Sequence, residues 1–308
     1  MKEAILIQCH KNPDQVNMLL QALQHPDVDI YVHVDIKVDI CSEIVKTSPQ
    51  IHILPDKYRV DVQWATFSQV RATLNLLRYA SHHGKYEHYW LCSGQDYPIK
   101  PINQIVSFLH EHSDTNFVQI WPSKNGGGTE NNLDKRTAIY FPQCVLGNGL
   151  TQRIAKRVFV ELTGGYNRTF GIFRRKAPDN VKFYFGSSWI CFYGEMEHWM
   201  EEYLKSHVGF IRFHRNVNCP DETFFQTLLM NSPYREKRAD YLHYVDWSDG
   251  GNSPRTLTVK DSGKLRNSDK LMARKFDETI DKEIIESLKV QNDQDCVRDQ
   301  LHHKKRTK

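Results

Sequence analysis

Short, mainly apolar segments of strand length alternate with amphipathic helical segments along the first third of the chain. The apolar segments are residues 4–9, 30–34, 51–54 and 89–92. Strands that are apolar along their whole length are typical of a parallel sheet whose two faces are both covered by helices. The sequence therefore predicts an α/β fold with a mostly parallel, Rossmann-like central sheet. Ligands of such sheets lie at the carboxyl ends of the strands.

Helix signals occupy the intervals between these segments. The tripeptide Asn-Pro-Asp at residues 12–14 is a typical helix start, and apolar residues follow it at helical spacing up to Leu23. Further helices are predicted at residues 65–80, 102–109 and 195–204, and a strand at 116–121. A last helix is predicted to begin at Pro220 and to end near Met230, before Pro233.

The length of 308 residues suits one large α/β domain or two tightly joined lobes. We predict a single domain over residues 1–290, with a nucleotide-binding half at 1–115 and an acceptor and catalytic half at 116–290. Residues 291–308 are polar and basic, which predicts a disordered tail.

The charge pattern argues against a nucleic-acid partner. The formal net charge is only +4, and part of it lies in residues 302–308, so the folded body is nearly balanced. A frayed, solubilising terminus is the first interpretation of this tail. Peripheral contact with anionic lipid is the alternative.

The seven cysteines show no C-x-x-C pair and no metal-type spacing, so we expect free thiols. The apolar run that ends at Cys9 is too short for a signal peptide or a membrane span. We therefore expect a cytoplasmic protein. A peripheral position at the inner face of the membrane is the alternative.

Residues 218–227 place two adjacent carboxylates, Asp221 and Glu222, before an apolar helix. Asn218 or Cys219 can cap this helix, and Pro220 fits its first turn. Exposed N–H groups in a first turn favour negative charge, so the acids are either stabilisers of the helix or a base delivered to a cleft.

Two further carboxylates follow predicted strands. Asp35 ends the strand at residues 30–34 and is suited to bind a base or ribose hydroxyl, with an Asx turn as the alternative. Asp96 lies in the polar turn at residues 93–98, which turn chemistry alone also explains.

Three cations near the end of the chain complete the candidate site: Arg255, Arg274 and Lys275. An enzyme that uses a sugar nucleotide must neutralise a departing diphosphate, either with a metal held by paired acids or with positioned Arg and Lys side chains. No D-x-D motif follows an apolar strand, which favours the cations. The alternatives are surface salt bridges for the cations, and a metal held by Asp35 and Asp96.

Six short blocks in one order resemble the core-2/I-branching β-1,6-N-acetylglucosaminyltransferase family, which also includes peptide O-xylosyltransferases. The likeness covers roughly residues 4–280. The blocks are Tyr31-Val32-His33-Val34-Asp35, Val62-Gln63-Trp64-Ala65, residues 91–99, Gly186-Ser187-Ser188-Trp189, residues 220–227 and Ala273-Arg274-Lys275-Phe276-Asp277.

This resemblance implies a GT-A-type fold, a UDP-sugar donor, inversion at the anomeric carbon and no metal or other cofactor. It implies that Glu222 is the catalytic base, that Lys275 and Arg255 bind the diphosphate, and that Asp35 lies beside the nucleotide. It also implies that Trp247 lines the acceptor sugar. We add Arg274 to the diphosphate side, and Asp96 and Asp221 to the acceptor side.

The predicted function is therefore the transfer of a sugar, GlcNAc first and xylose second, from a UDP-sugar to a carbohydrate or glycoconjugate hydroxyl. The family makes a β-1,6 branch the expected product, and a polysaccharide intermediate is the expected acceptor in a cytoplasm. The competing class is a non-catalytic carbohydrate- or nucleotide-binding module, in which tryptophans such as Trp121, Trp189 and Trp247 only stack on sugars.

Overall fold

The computed structural model describes residues 1–121, 137–147, 149–178, 181–250 and 253–306. The chain forms two compact units. The first unit comprises Met1–Arg59, Tyr79–Asp114 and Leu242–Lys308, and the second comprises Val60–Arg78 and Thr115–Tyr241. The predicted boundary between residues 115 and 116 lies beside a unit boundary, but the segment after Tyr241 belongs to the first unit. The division into two functional halves stays a prediction.

The strands, in chain order, are β1 Lys2–Cys9, β2 Val28–Val34, β3 Ile51–Ile53, β4 Tyr86–Ser93, β5 Asp96–Pro98, β6 Asn116–Val118, β7 Ile190–Tyr193, β8 Arg238–Ala239, β9 His243–Val245 and β10 Met272–Arg274. The helices are α1 Pro13–Ala22, α2 Phe67–His83, α3 Ile102–Glu111, α4 Leu150–Leu162, α5 Tyr166–Ile172, α6 Gly194–Ser206, α7 Val208–His214, α8 Phe224–Met230, α9 Ser262–Arg266 and α10 Glu283–Arg306.

The main sheet of the first unit is parallel, as predicted. Its strands lie in the order β3-β2-β1-β4, and β1 pairs in parallel with both β2 and β4. The strands are buried along almost their whole length; Leu6 and Val32 have no exposed surface. Helix α1 begins at the predicted position, with Asn12 in the left-handed conformation before Pro13.

A second, three-stranded sheet in the first unit joins distant parts of the sequence. Strand β10 lies between β5, to which it is antiparallel, and β9, to which it is parallel. Arg274 on β10 pairs with Asp96 on β5 and with Val245 on β9. This sheet brings three of the segments that carry candidate site residues next to each other.

The second unit contains β6, which pairs antiparallel with β7 and parallel with β8. The predicted strand at residues 116–121 ends at Val118, and β7 covers only Ile190–Tyr193. One core cluster of this unit is built from Ile139, Phe141, Val145 and Leu146.

The polar C-terminal segment continues helix α10 to Arg306, through most of the tail for which the sequence predicts disorder. Residues 307 and 308 lie outside the described part. Within the described part of the chain, no helix has both the length and the apolar character required to cross a lipid bilayer. The cytoplasmic location and the peripheral contact with lipid stay predictions.

A buried histidine makes the second unit sensitive to acid. His214 is fully buried, and its Nδ1 lies 2.9 Å from the carbonyl oxygen of Phe210. Burial, aided by the charge of Arg175, lowers the pKa of His214 to about 3. The native state therefore keeps a neutral ring, whereas the unfolded chain gains a proton below a pH of about 6.5.

We expect the free energy of unfolding to fall as the pH decreases from about 6.5 towards 3, by about 1.4 kcal/mol per pH unit for this group. The variant His214→Leu removes the proton uptake, so its stability should depend less steeply on pH than that of the wild type. Urea unfolding curves at a series of pH values measure this difference. The control is His198→Leu, because His198 is exposed; equal slopes in all three proteins would contradict the prediction.

Candidate functional site

The two adjacent acids of the second unit lie in a short turn of their own. Residues Pro220–Glu222 form a 3₁₀ turn, and Thr223, with φ of −130°, separates it from α8. The prediction of one helix that begins at Pro220 is therefore wrong. The expected cap is absent too: Cys219 makes no side-chain capping bond, and the amide oxygen of Asn218 accepts a hydrogen bond from Lys156 instead.

The two carboxylates have different surroundings. Asp221 is buried, and its Oδ2 accepts a hydrogen bond of 2.7 Å from the hydroxyl of Ser188. Glu222 is only half-buried. The backbone of Glu222 is fixed, because its carbonyl oxygen accepts a hydrogen bond of 3.0 Å from the N–H of Gly186. Asp221 thus holds the turn against residues 186–188, and Glu222 is the acid that solvent and a ligand can reach.

Backbone strain lies next to this turn. Cys219 and Ala65 both have left-handed backbones, with φ of 54° and 63°. The N–H of Cys219 donates a hydrogen bond of 3.1 Å to the carbonyl oxygen of Ala65. Non-glycine residues in this region cost about 1–3 kcal/mol and are concentrated at functional sites. The strain supports a functional role for the acid turn, and no sequence signal indicated it.

Gly186 has no room for a side chain. A Cβ atom at this position would overlap the backbone carbonyl oxygen of Gln119 and would lie 2.8 Å from the carbonyl carbon. The side-chain amide of Gln226 fixes the same segment by donating to the carbonyl oxygen of Ser187 at 2.5 Å. The close approach of backbones explains why a glycine starts the Gly-Ser-Ser-Trp block.

We expect Gly186→Ala to lower the free energy of unfolding by about 1–3 kcal/mol, because the new methyl group forces the backbone at Gln119 away. Urea unfolding at neutral pH measures the change. Gly209→Ala is the matched control, since nothing lies within 4 Å of a Cβ at Gly209 and alanine favours its helix α7. A Gly186→Ala protein as stable as the control would show that the overlap is relieved at no cost.

Asp35 in the first unit is buried directly after β2. Its Oδ1 accepts a hydrogen bond of 3.0 Å from the N–H of Lys37, and its Oδ2 lies 3.2 Å from the ammonium group of Lys37. The Asx turn that the sequence allows is therefore present. The role of Asp35 beside a nucleotide stays a prediction.

Asp96 is fully buried and shares its charge with three neighbours. Its Oδ1 lies 3.0 Å from Nη1 of Arg274, its Oδ2 accepts a hydrogen bond from the N–H of Ser93, and Nε2 of His243 lies 3.3 Å from Oδ2. Burial alone would raise the pKa of Asp96, but Arg274 and then His243 hold it below its usual value. Asp96 is therefore ionised, and it offsets the charge of Arg274.

Arg255 is clamped by two carboxylates. Its guanidinium binds Asp261 through two nitrogens, at 2.7 and 3.0 Å, and Asp246 at 2.7 Å. Hydrogen bonds from Arg255, and then from Ser248, lower the pKa of Asp246 well below its usual range. The half-exposed indole of Trp247 follows Asp246 directly. Arg255 thus fixes the segment that carries Trp247, and its guanidinium charge is offset within the protein.

Lys275 is the exception among the three cations. Its ammonium group donates a hydrogen bond of 2.6 Å to the hydroxyl of Ser253, and in the described ranges no carboxylate forms an ion pair with it. Burial, then Arg274 and Lys11, lower the pKa of Lys275. A lowered lysine pKa in cationic surroundings marks a place where a bound anion would be stabilised.

The metal-dependent interpretation fits this site poorly. Side-chain ligand atoms of Cys92, Asp96 and His243 lie within 4.8 Å of one another. The oxygens of Asp96, however, are already bound by Ser93 and by the guanidinium of Arg274, which would repel a metal cation. We assign this cluster to the buried ion pair. Of the two metal ligands that the sequence suggested, Asp35 and Asp96, this assignment concerns only Asp96, because Asp35 does not belong to the group of Cys92, Asp96 and His243.

The structure brings some of the predicted residues together within each unit. Asp96 contacts Arg274, which Lys275 follows directly in the first unit, and Asp221 adjoins Glu222 in the second. Sequence reasoning gave no role to the partners that fix these residues: Ser188, which lies in the Gly-Ser-Ser-Trp block, and His243, Asp246, Ser253 and Asp261, which lie in none of the six blocks. The ligand-binding role of every predicted residue stays a prediction.

Both units belong to an enzyme family that the sequence already suggests. Residues 5–266 match the family described as "Branch: Core-2/I-Branching enzyme". The chain belongs to the core-2/I-branching enzyme family, which confirms the predicted family. The predicted α/β class with a mostly parallel central sheet is confirmed as well.

The chain is similar to curated proteins named xylosyltransferases. It is 24% identical to "Xylosyltransferase" of Ciona intestinalis, over 89% of this chain and 32% of that protein. It is also 24% identical to "Xylosyltransferase 2" of Rattus norvegicus, with the same two coverages of 89% and 32%. The chain therefore spans about a third of the length of these relatives. Among solved structures, mouse "Xyloside xylosyltransferase 1" in its apo form is 7% identical, covers 89% of this chain and 97% of that chain, and has a TM-score of 0.38.

Proposed function

We propose that this protein is an inverting glycosyltransferase that moves a sugar from a UDP-sugar to a hydroxyl group of a carbohydrate acceptor, without a metal in the transfer step. The observation that carries the proposal is the family match over residues 5–266. Two observations support the assignment of roles, since the reaction requires a base and a cation: Glu222 is half-buried, and in the described ranges Lys275 forms no ion pair with a carboxylate.

In the proposed reaction, a carboxylate oxygen of Glu222 takes the proton of the acceptor hydroxyl. The acceptor oxygen attacks the anomeric carbon of the donor sugar from the face opposite UDP. The bond between that carbon and the diphosphate oxygen breaks, and its electron pair leaves with UDP. One displacement therefore forms one glycosidic bond and inverts the anomeric centre.

Lys275 is the proposed partner of the leaving diphosphate. Its hydrogen bond to Ser253 involves one of three ammonium donors, so two remain for phosphate oxygens. Charge grows on the diphosphate as the bond breaks, and a donor placed for that charge contributes most in the transition state. Arg274 and Arg255 have secondary parts in this proposal, because Asp96 and the pair Asp246 and Asp261 already bind their guanidinium groups.

The remaining predicted residues are proposed to bind the two substrates. Asp35 contacts the nucleoside, as the family resemblance implies. Trp247, with 50% of its surface exposed, offers an aromatic face to the acceptor sugar. Asp96 and Asp221 are buried and hydrogen-bonded, so any part they have on the acceptor side acts through the residues that they hold.

The donor sugar is GlcNAc in the first form of the proposal, with a β-1,6 branch as the product. The names of the similar proteins favour a second form, in which the donor is UDP-xylose. A screen of UDP-sugars that measures UDP release separates the two forms, and hydrolysis of the donor serves as the signal without an acceptor.

We expect Glu222→Gln to lower turnover by a factor of about 10²–10⁴ and to leave donor affinity unchanged, because the amide keeps the shape but cannot accept the proton. Turnover is measured as UDP release with UDP-GlcNAc and UDP-xylose in excess chelator, and affinity by calorimetry.

Glu236→Gln is the control for this variant, because Glu236 is an exposed acid of the same unit. Wild-type protein that binds a UDP-sugar but never releases UDP would identify a binding module. Activity that chelator abolishes and manganese restores would reject the metal-free step and support the metal-dependent interpretation.

We expect Lys275→Ala to lower turnover by a factor of about 10²–10³, because the developing diphosphate charge loses its cation. UDP should also bind more weakly, which calorimetry with UDP alone measures. Lys264→Ala removes the same charge from an exposed position on α9 and should change neither quantity. Equal turnover in the two variants would remove Lys275 from the diphosphate site.

A further inference from the structure

A second group of ionisable side chains lies at the amino-terminal edge of the parallel sheet in the first unit. Glu3 lies at the start of β1, Glu87 and His88 lie at the start of β4, and His110 lies in the last turn of α3. We call these four residues the Glu-His cluster. Ligands of a parallel sheet bind at its carboxyl edge, so the cluster lies away from the end expected to hold the substrates.

An irregularity in the sheet creates the cluster. Lys2 pairs with Tyr86, but Ala4 pairs with Tyr89, so two residues of β4 oppose the single residue Glu3. Such a bulge leaves one residue outside the regular pairing and redirects side chains. Glu87 and His88, which would otherwise point to opposite faces, both lie near the Glu3 carboxylate.

The carboxylate of Glu3 is buried without full compensation. Only 1% of the residue is exposed, and Oε2 lies 3.1 Å from Nδ1 of His88. The other oxygen, Oε1, has no hydrogen-bond donor in the described part of the chain. A buried charge is costly unless it is paired or coordinates a metal. Oε1 faces Nε2 of His110 at 3.5 Å, which is longer than a hydrogen bond.

Three ligand atoms of the Glu-His cluster lie close enough together for a metal site. Nε2 of His110 lies 3.5 Å from Oε1 of Glu3 and 3.6 Å from Oε2 of Glu87, and one ligand atom from each of the three residues lies within 4.8 Å of the other two. Zinc binds nitrogen and oxygen at about 2.0–2.1 Å in a tetrahedron, which places neighbouring ligand atoms about 3.3 Å apart. The two distances from Nε2 of His110 are therefore close to those between neighbouring ligands of a bound zinc ion.

We propose that Glu3, Glu87 and His110 bind one divalent transition-metal ion, for which zinc is the best match. The imidazole favours zinc over magnesium and calcium, and two carboxylates neutralise the ion. His88 orients the Glu3 carboxylate from behind, as partners of metal ligands commonly do. Solvent fills the fourth position, which the partly exposed ring of His110 leaves accessible.

The ion would join β1, β4 and α3, so its role is to stabilise the first unit. To bind it, Nε2 of His110 must give up its contact of 3.0 Å with the carbonyl oxygen of Met1. The competing state is an ion pair in which a protonated His110 is shared by Glu3 and Glu87. This proposal is independent of the proposed function, because it concerns the opposite edge of the sheet from the predicted donor site.

The test uses the full chain, from which bound metal is first removed with a chelator. The chelator is then removed as well. One equivalent of zinc should bind, and zinc at about 100 times its Kd should raise Tm by about 5 °C. Cobalt, used as the probe, should give the visible absorption of a four-coordinate site. Both His110→Ala and Glu87→Gln should lose this absorption and bind zinc at least tenfold more weakly.

His198→Ala serves as the matched control, since His198 is an exposed histidine near Glu202 on α6; it should bind zinc and cobalt as the wild type does. Equal zinc affinity in the wild type and both cluster variants, or no rise in Tm with zinc, would reject the metal site. The Glu-His cluster would then be an ion pair only. Sugar transfer measured in chelator, well below the Tm of the stripped protein, should persist. If sugar transfer failed in chelator, that result would count against the metal-free reaction and not against the proposed metal site.

Discussion

The ion pair between Asp96 and Arg274 is the interaction on which the predicted donor side of the first unit depends. It joins residues 178 positions apart and lies where β5 and β10 are paired. Asp96 has no exposed surface, so without Arg274 it would be a buried charge, and breaking such a pair typically costs about 3–5 kcal/mol. The pair therefore fixes the position of the next residue, Lys275, relative to the end of β4.

The three cations of this unit show how a protein divides charge between structure and function. Arg255 and Arg274 bind carboxylates through rigid, forked guanidinium groups, which suits residues that must fix loops and strands. Among the residues that the structure describes, the ammonium group of Lys275 has a serine hydroxyl as its hydrogen-bond partner, and Arg274 and Lys11 are its cationic neighbours. The two arginines thus have fixed carboxylate partners, whereas the charge of the lysine is still available to a ligand.

Local patterns predicted the elements that local interactions determine. The helix after Asn12 and the buried parallel strands follow from capping residues and from apolar runs. The turn at Pro220–Glu222 was mistaken for a helix start because proline and acids favour both, and only its contacts with Gly186 and Ser188 distinguish them. The pairing of β5 with β10, and the clamp on Arg255, join segments whose partners no spacing rule reveals.

The same reasoning explains why the Glu-His cluster carries no sequence signature. Its residues come from two strands and a helix, and a one-residue bulge, not a motif, brings them together. A regular ladder would place Glu87 and His88 on opposite faces of the sheet, so only one of them could lie near Glu3. The bulge costs regular pairing at the edge of β4, and a cation shared by Glu3 and Glu87 would offset that cost. Charge that a folded chain leaves uncompensated in its interior is therefore a more direct guide to a ligand than the order of its residues.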